Sequence, residues 1–157
     1  MRSRVIAALW IVFVLLANPM AVAATAYSNL RWVGSWIPPG YAASDLCDQS
    51  GIVDTARNYN QAVSLHHLTN NYICNQSNIT LPSGYLGTQV AGYRDGTLCG
   101  FSQVYYSTVA TSAWQLWITL CSNPSGLQTF YSAGWPYGWN GTGYTSGGST
   151  TSPSQNY

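Results

Sequence analysis

Cys99 and Cys121 lie at equal distances from Ala110, in a stretch that alternates large apolar side chains with neutral polar ones. The alternation runs through Val104-Tyr105-Tyr106, crosses a Ser/Thr/Ala loop and returns through Trp114-Gln115-Leu116-Trp117-Ile118-Thr119-Leu120. A period of two marks half-buried strands. A hairpin centred on Ala110 makes partner numbers sum to 220 and sets Cys99 opposite Cys121, where a cross-strand disulfide closes at a non-hydrogen-bonded pair. By elimination Cys47 bonds Cys74. The four cysteines are widely spaced and contain no CxxC pair, which favours two disulfides in an oxidising compartment over a zinc site.

Turn signals on either side extend the pattern. Asp95-Gly96 predicts a two-residue hairpin pairing Tyr93 with Leu98 and Val90 with Phe101. Asn140-Gly141 predicts another, with Trp139 opposite Thr142 and Tyr137 opposite Tyr144. Asn123-Pro124-Ser125-Gly126 turns the chain towards Phe130. The fold expected is all-β, an antiparallel meander or sandwich stapled by Cys99–Cys121 and Cys47–Cys74. Residues 25–146 form its single domain, with an irregular N-terminal half (25–84) and the meander (85–146). Residues 147–157, rich in Gly, Ser and Thr, read as a flexible tail.

The N-terminal half gives weaker signals. Leu30, Trp32 and Trp36 alternate as a buried strand would, up to the Pro38-Pro39-Gly40 turn, and Ala62 to Leu68 alternates weakly. Tyr41 to Asn60 reads as a long loop held by Cys47. Ahead of it all, Met1-Arg2-Ser3-Arg4 is basic, Val5 to Ala17 is uninterruptedly apolar and Ala21-Val22-Ala23 offers small residues for cleavage. Residues 1–24 therefore read as a signal peptide, too short before Asn18-Pro19 to span a bilayer. A secreted, extracellular protein is expected, without a membrane segment in its mature form.

Charge narrows the function. Only 6% of the 157 residues are Asp, Glu, Lys or Arg, against the ~25% usual in soluble domains, and Lys and Glu are absent. No basic cluster exists to hold nucleic acid or anionic lipid. Asp45, Asp48 and Asp54 raise the question of calcium, but their spacing matches no EF-hand loop; a solvated loop with one aspartate paired to Arg57 explains them. His66 and His67 are adjacent, so at most one faces a given site. A Ser-His-Asp triad has candidate members but no specifying motif, and Gly100-Phe101-Ser102-Gln103-Val104 is no nucleophile elbow. Phosphate loops and dinucleotide fingerprints are missing, so no cofactor and no metal is implied, and catalysis is disfavoured. Asn75, Asn78 and Asn140 begin N-glycosylation triplets, which matter only in a host that glycosylates secreted proteins.

The alternation also sorts side chains by face. Val104, Tyr106, Trp114, Leu116, Ile118, Leu120 and Phe130 fall on one side as core. On the other, Gln103, Trp117 and Tyr131 are expected side by side, with Tyr105 and Gln115 in the next row. Flat rings beside neutral amides suit a sugar, whose C–H surface they cover and whose hydroxyls they satisfy without charge. The same face would also serve as the inside of a two-sheet sandwich under Trp32 and Trp36. The function expected is a secreted binding protein for a neutral glycan or cell-surface polymer through Trp117, Tyr131, Tyr105, Gln103 and Gln115. The alternatives are a structural, self-associating extracellular protein, a small hydrolase using a histidine, and a binder of another extracellular protein.

Overall fold

The computed structural model describes residues 25–53, 56–67, 73–122 and 127–157. The expected signal peptide and Asp54 lie outside the described residues.

Twelve strands and no helix are present among them. The first sheet is built on a long hairpin, β3 (Ser44–Val53) against β4 (Arg57–His66), in unbroken antiparallel register from Ser44↔His66 to Val53↔Arg57. β1 (Ala26–Tyr27) and β2 (Arg31–Trp36) share the outer edge of β3. β8 (Ala113–Ile118) lies on the far side of β4. The second sheet is built on β5 (Leu86–Arg94) against β9 (Thr129–Trp139). β6 (Thr97–Phe101) and β7 (Tyr105–Tyr106) share the free edge of β5. β10 (Tyr144–Ser146), β11 (Thr150–Thr151) and β12 (Gln155–Asn156) succeed one another along the free edge of β9.

Three sequence-based expectations are corrected here. The stretch from Tyr41 to Asn60 is no loop, because it supplies β3 and the first four residues of β4. These strands are buried on both faces, so they lack the polar-apolar alternation that marks a strand with one wet side. Residues 147–157 are no free tail either, since β11 and β12 close the edge of β9. The hairpin centred on Ala110 does not form: residues 107–112 cross between the sheets, so β7 pairs with β5 while β8 pairs with β4.

Both disulfides are nevertheless those expected. Cys99–Cys121 has a Cα separation of 5.2 Å and joins β6 in the second sheet to the segment leaving β8 in the first. Across the Asp95-Gly96 turn the register is Arg94↔Thr97 and Tyr93↔Leu98, as expected, but it then shifts, so that Gly92 faces Gly100 and Phe101 pairs with Ala91 instead of Val90. Cys99 is the residue skipped, and leaving the ladder frees it to reach the other sheet. Cys47–Cys74, at 6.1 Å, pins the segment before β5 onto the outer face of β3, beside Val63, Leu65, Leu30 and Trp32. Two disulfides belong to an oxidising environment. No described helix is long and apolar enough to cross a membrane.

Between the sheets the packing is layered. Trp36, Leu46, Ile79, Leu81 and Leu86 fill one end of the interface, and Ile52, Ala56, Cys121 and Phe130 the other. The middle is polar: Asp48, Ser50, Asn58, Asn60, Thr88, Ser132 and Thr150 are all buried. Asn60 Nδ2 donates to Asp48 Oδ1 (2.8 Å) and Thr88 Oγ1 (2.6 Å), while its Oδ1 accepts from Ser50 Oγ (2.9 Å). Thr150 Oγ1 donates to Asp48 Oδ2 (2.6 Å) and touches Ser50 Oγ (2.8 Å). Asn58 bridges Ser132 Oγ and the Leu120 amide. Short side chains bonded across the gap draw the backbones together, and β9 answers with Gly134, against which the Asn60 amide lies directly.

Candidate functional site

Close approach of the sheets determines where the rings of β9 go. Its inward residues are Phe130, Ser132, Gly134, Pro136 and Gly138, all buried and mostly small. Tyr131, Ala133, Trp135, Tyr137 and Trp139 alternate with them and therefore face outward. This inverts the usual order, in which bulky rings fill the core and small polar groups face water.

The outward rings are held in pairs. Tyr131 stacks on Tyr93 with centroids 4.5 Å apart and planes at 5°. Trp135 meets Phe101 at 5.9 Å. Tyr137 donates its hydroxyl to Gln89 Oε1 (2.9 Å), and Gln89 Nε2 is itself fixed on Ser102 O (2.9 Å). Tyr144 contacts Trp139 at 5.0 Å and Tyr106 at 4.1 Å. Gly87 is what allows the last cluster: a Cβ there would meet the Tyr106 ring at 2.8 Å, so only glycine lets that ring lie on the sheet. Partial burial, with Tyr106 beside it, pushes the Tyr144 phenol up, keeping it a donor to Gly84 O (2.6 Å). Phe101 is 55% exposed.

At the Tyr131 end the surface is concave. An open cavity of about 480 Å³ is lined by Tyr93, Tyr131, Ala133, Thr151, Ser152 and Ser154. Register places Thr151, Ala133, Ala91 and Phe101 in one row across four strands, and Ala133, small beside the stacked tyrosines, forms the cavity floor. Ser152 accepts from the Ser132 amide at 2.9 Å, which fixes the hydroxyl rim to β9. That rim comes from the segment read as a tail.

The residues singled out from the sequence are divided between the two sheets. Tyr131 is in the concave site. Tyr105 pairs with Thr88, whose side chain faces the interior, so it points away from the ring face that its neighbour Tyr106 joins. Gln103 is exposed in the link between β6 and β7. Trp117 and Gln115 stand on the outer face of the first sheet, opposite Tyr59 and Gln61. They form a separate patch. Trp117 is 42% exposed, packed against Tyr59 at 4.5 Å with the Arg57 guanidinium 5.3 Å over its ring. Tyr27 reaches Tyr59 from the other side at 5.1 Å. Burial, then the proximity of Tyr27 and Asp48, raises the Tyr59 phenol to about 12, so it remains a donor to Gln61 Oε1 (3.0 Å). Of the side chains expected in the core, Leu116 and Phe130 are buried, whereas Tyr106 is 39% exposed.

The second turn also departs from expectation. Asn140 Oδ1 accepts from the amides of Thr142 and Gly143 and from the Thr142 hydroxyl, closing a longer loop. Trp139 then pairs with Tyr144 and Tyr137 with Ser146, two residues from the two-residue hairpin register. This is what carries Tyr144 to Trp139.

Among the described residues, the aspartates and histidines are not arranged as a Ser-His-Asp triad. Asp45 and Asp48 are fully buried, which corrects the solvated-loop reading, and no group of three or more metal-ligating side chains occurs among the described residues. Asp45 Oδ1 accepts from Ser35 Oγ (2.6 Å) and Trp32 Nε1 (3.2 Å) and lies 2.9 Å from His67 Nδ1. His66 is exposed. Ser35 thus meets Asp45, whereas a triad needs its serine on the histidine. The cluster fastens β2 and the residue after β4 to β3. No protein-family model, characterised protein or solved structure matches the chain.

Proposed function

We propose that this is a secreted, non-enzymatic protein that binds a neutral glycan on the outward face of the second sheet. The observation that carries the reading is the inversion along β9, with rings outside and small residues within. Half-buried rings along β9, joined by the exposed rings of Phe101, Tyr106 and Tyr144, make an aromatic patch that is a solubility liability unless it is used. Aromatic surface flanked by hydroxyls and an amide, with no charged side chain projecting from the middle of β5 or β9 on that side, matches an uncharged hydroxyl-rich ligand. Secretion is supported by the two disulfides and by the signal-like pattern of residues 1–24.

Binding to hydroxyethylcellulose, glucomannan, arabinoxylan and dextran by affinity gel electrophoresis tests the reading. Retardation by at least one polymer is expected, with Tyr131→Ala weakening it about tenfold or more, equivalent to about 1.4 kcal/mol. Trp117→Ala, on the opposite sheet, should stay within about twofold of wild type on the same scale. Equal retardation of Tyr131→Ala and wild type would count against this face. Retardation by no polymer, together with concentration-dependent self-association in sedimentation, would instead favour a structural protein.

A further inference from the structure

We infer that the ligand is an extended, unbranched neutral polysaccharide lying along β9; this refinement rests on the neutral-glycan reading above. The cavity beside Tyr131 is near one end of the strand. A second, of about 210 Å³, opens at the other end between Ser83, Gly84, Tyr85, Trp139 and Tyr144. Both combine an aromatic wall with small hydroxyl-bearing or glycine neighbours, and both open on the same outward face. Tyr131 and Trp139 are eight residues apart on one strand, about 27 Å at about 3.4 Å per residue. An extended chain of roughly five pyranose rings covers that length. Trp135 and Tyr137 stand between them on the same side, so ring surface recurs along the path, interrupted only at Ala133 on the cavity floor.

A small or compact ligand is enclosed by one convergent pocket. Two shallow sites joined by a line of rings suit a long ligand whose units repeat, each adding a modest contact. Charge points the same way. The polar groups along the path are neutral: Gln89, the tyrosine hydroxyls, the rim of Thr151, Ser152 and Ser154, and Ser83. The hairpin's Arg94 and Asp95 lie beyond its Tyr93 end, so an anionic polymer meets no row of cations.

The test is length dependence. For whichever polymer retards the wild-type protein, its oligosaccharides of two to six units are titrated calorimetrically. Affinity should rise about a hundredfold from two units to five or six and then level off. Trp139→Ala and, independently of β9, Tyr144→Ala should each weaken the six-unit ligand about tenfold while leaving the disaccharide unchanged. Tyr131→Ala should weaken both, and near-UV circular dichroism identifies any variant that has lost native packing. Equal affinity for the disaccharide and the six-unit ligand would overturn the extended-chain inference and leave the neutral-glycan reading standing. So would wild-type affinities across the ladder in both Trp139→Ala and Tyr144→Ala. Retention by none of the four polymers would remove both.

Discussion

Gly134→Ala is expected to destabilise the protein by about 3 kcal/mol or more, the sum of an overpacking cost and of buried polar groups losing partners. A methyl at Gly134 would occupy the space of the Asn60 amide, which meets this glycine from the facing sheet. Asn60 cannot step aside cheaply, because the same amide bonds Asp48, Thr88 and Ser50. Moving it leaves a buried carboxylate and two buried hydroxyls short of hydrogen bonds. Gly138→Ala should be milder: its Cβ would meet the Trp36 indole at 2.6 Å, but that ring lies in an apolar cluster and no buried charge depends on it. Urea unfolding reads the effect as a fall in midpoint at unchanged m-value. The cause is checked with Gly134→Ala/Asn60→Ala, whose cost should be clearly less than the sum of the singles if the collision is with Asn60. A Gly134→Ala protein within about 0.5 kcal/mol of wild type, the range of an ordinary surface change, would mean the sheets are not so closely apposed.

The polar layer that makes Gly134 sensitive also explains which parts of the molecule were legible in the sequence. Alternation from Tyr85 onward announced strands, and Asp95-Gly96 gave the correct first pairs, because both signals are local. Cysteine number and spacing announced two disulfides, but their pairing came from a hairpin about Ala110 that does not form: Cys99 and Cys121 meet across the sandwich, with the expected partners on a different geometry. β3 and the first residues of β4 read as loop for a physical reason, while only the far end of β4, from Ala62, gave a weak alternation. Their inward side chains include Asp48, Ser50, Asn58 and Asn60, so the polar residues that suggest a wet loop are the ones that bond the sheets together. The ring-bearing face was read as a mixture because a strand's polarity pattern identifies its two sides, not which side meets the other sheet. Tyr131 was found through its ring. The hydroxyl rim at Thr151 and Ser154 was not, since nothing local to a Gly/Ser/Thr segment says that β9 has a free edge for it to close.

Asp48 should make the protein more stable in mild acid than in mild alkali, and Asp48→Asn should remove that dependence. The carboxyl is fully buried, and burial raises its pKa from 3.8 to about 7, against the lowering effect of hydrogen bonds from Thr150, Asn60 and the backbone of Thr150 and Gln49. A raised folded-state value means that between pH 3.8 and about 7 the folded chain holds a proton the unfolded chain has released. Stability contributed by this group is complete below the unfolded value and falls as pH rises through the window, by up to about 1.4 kcal/mol per unit. Above pH 7 a buried anion remains, at a cost of a few kcal/mol relative to the protonated state. The layer tolerates it because Asn60 Nδ2 and Thr150 Oγ1 both donate to it. Asparagine keeps one acceptor for Asn60 and offers Thr150 a donor in place of an acceptor, a role the Thr150 hydroxyl can answer by turning its proton towards Ser50. Asp48→Asn should therefore match or exceed wild type at pH 8 and fall behind it at pH 4.5, whereas Asp48→Ala, which strands both donors, should be destabilised at every pH. Thermal unfolding of the three proteins across pH 4–9 decides the matter. Taking the difference between wild type and Asp48→Asn cancels any contribution of His66 and His67, and parallel profiles for those two proteins would show that Asp48 does not titrate in the window.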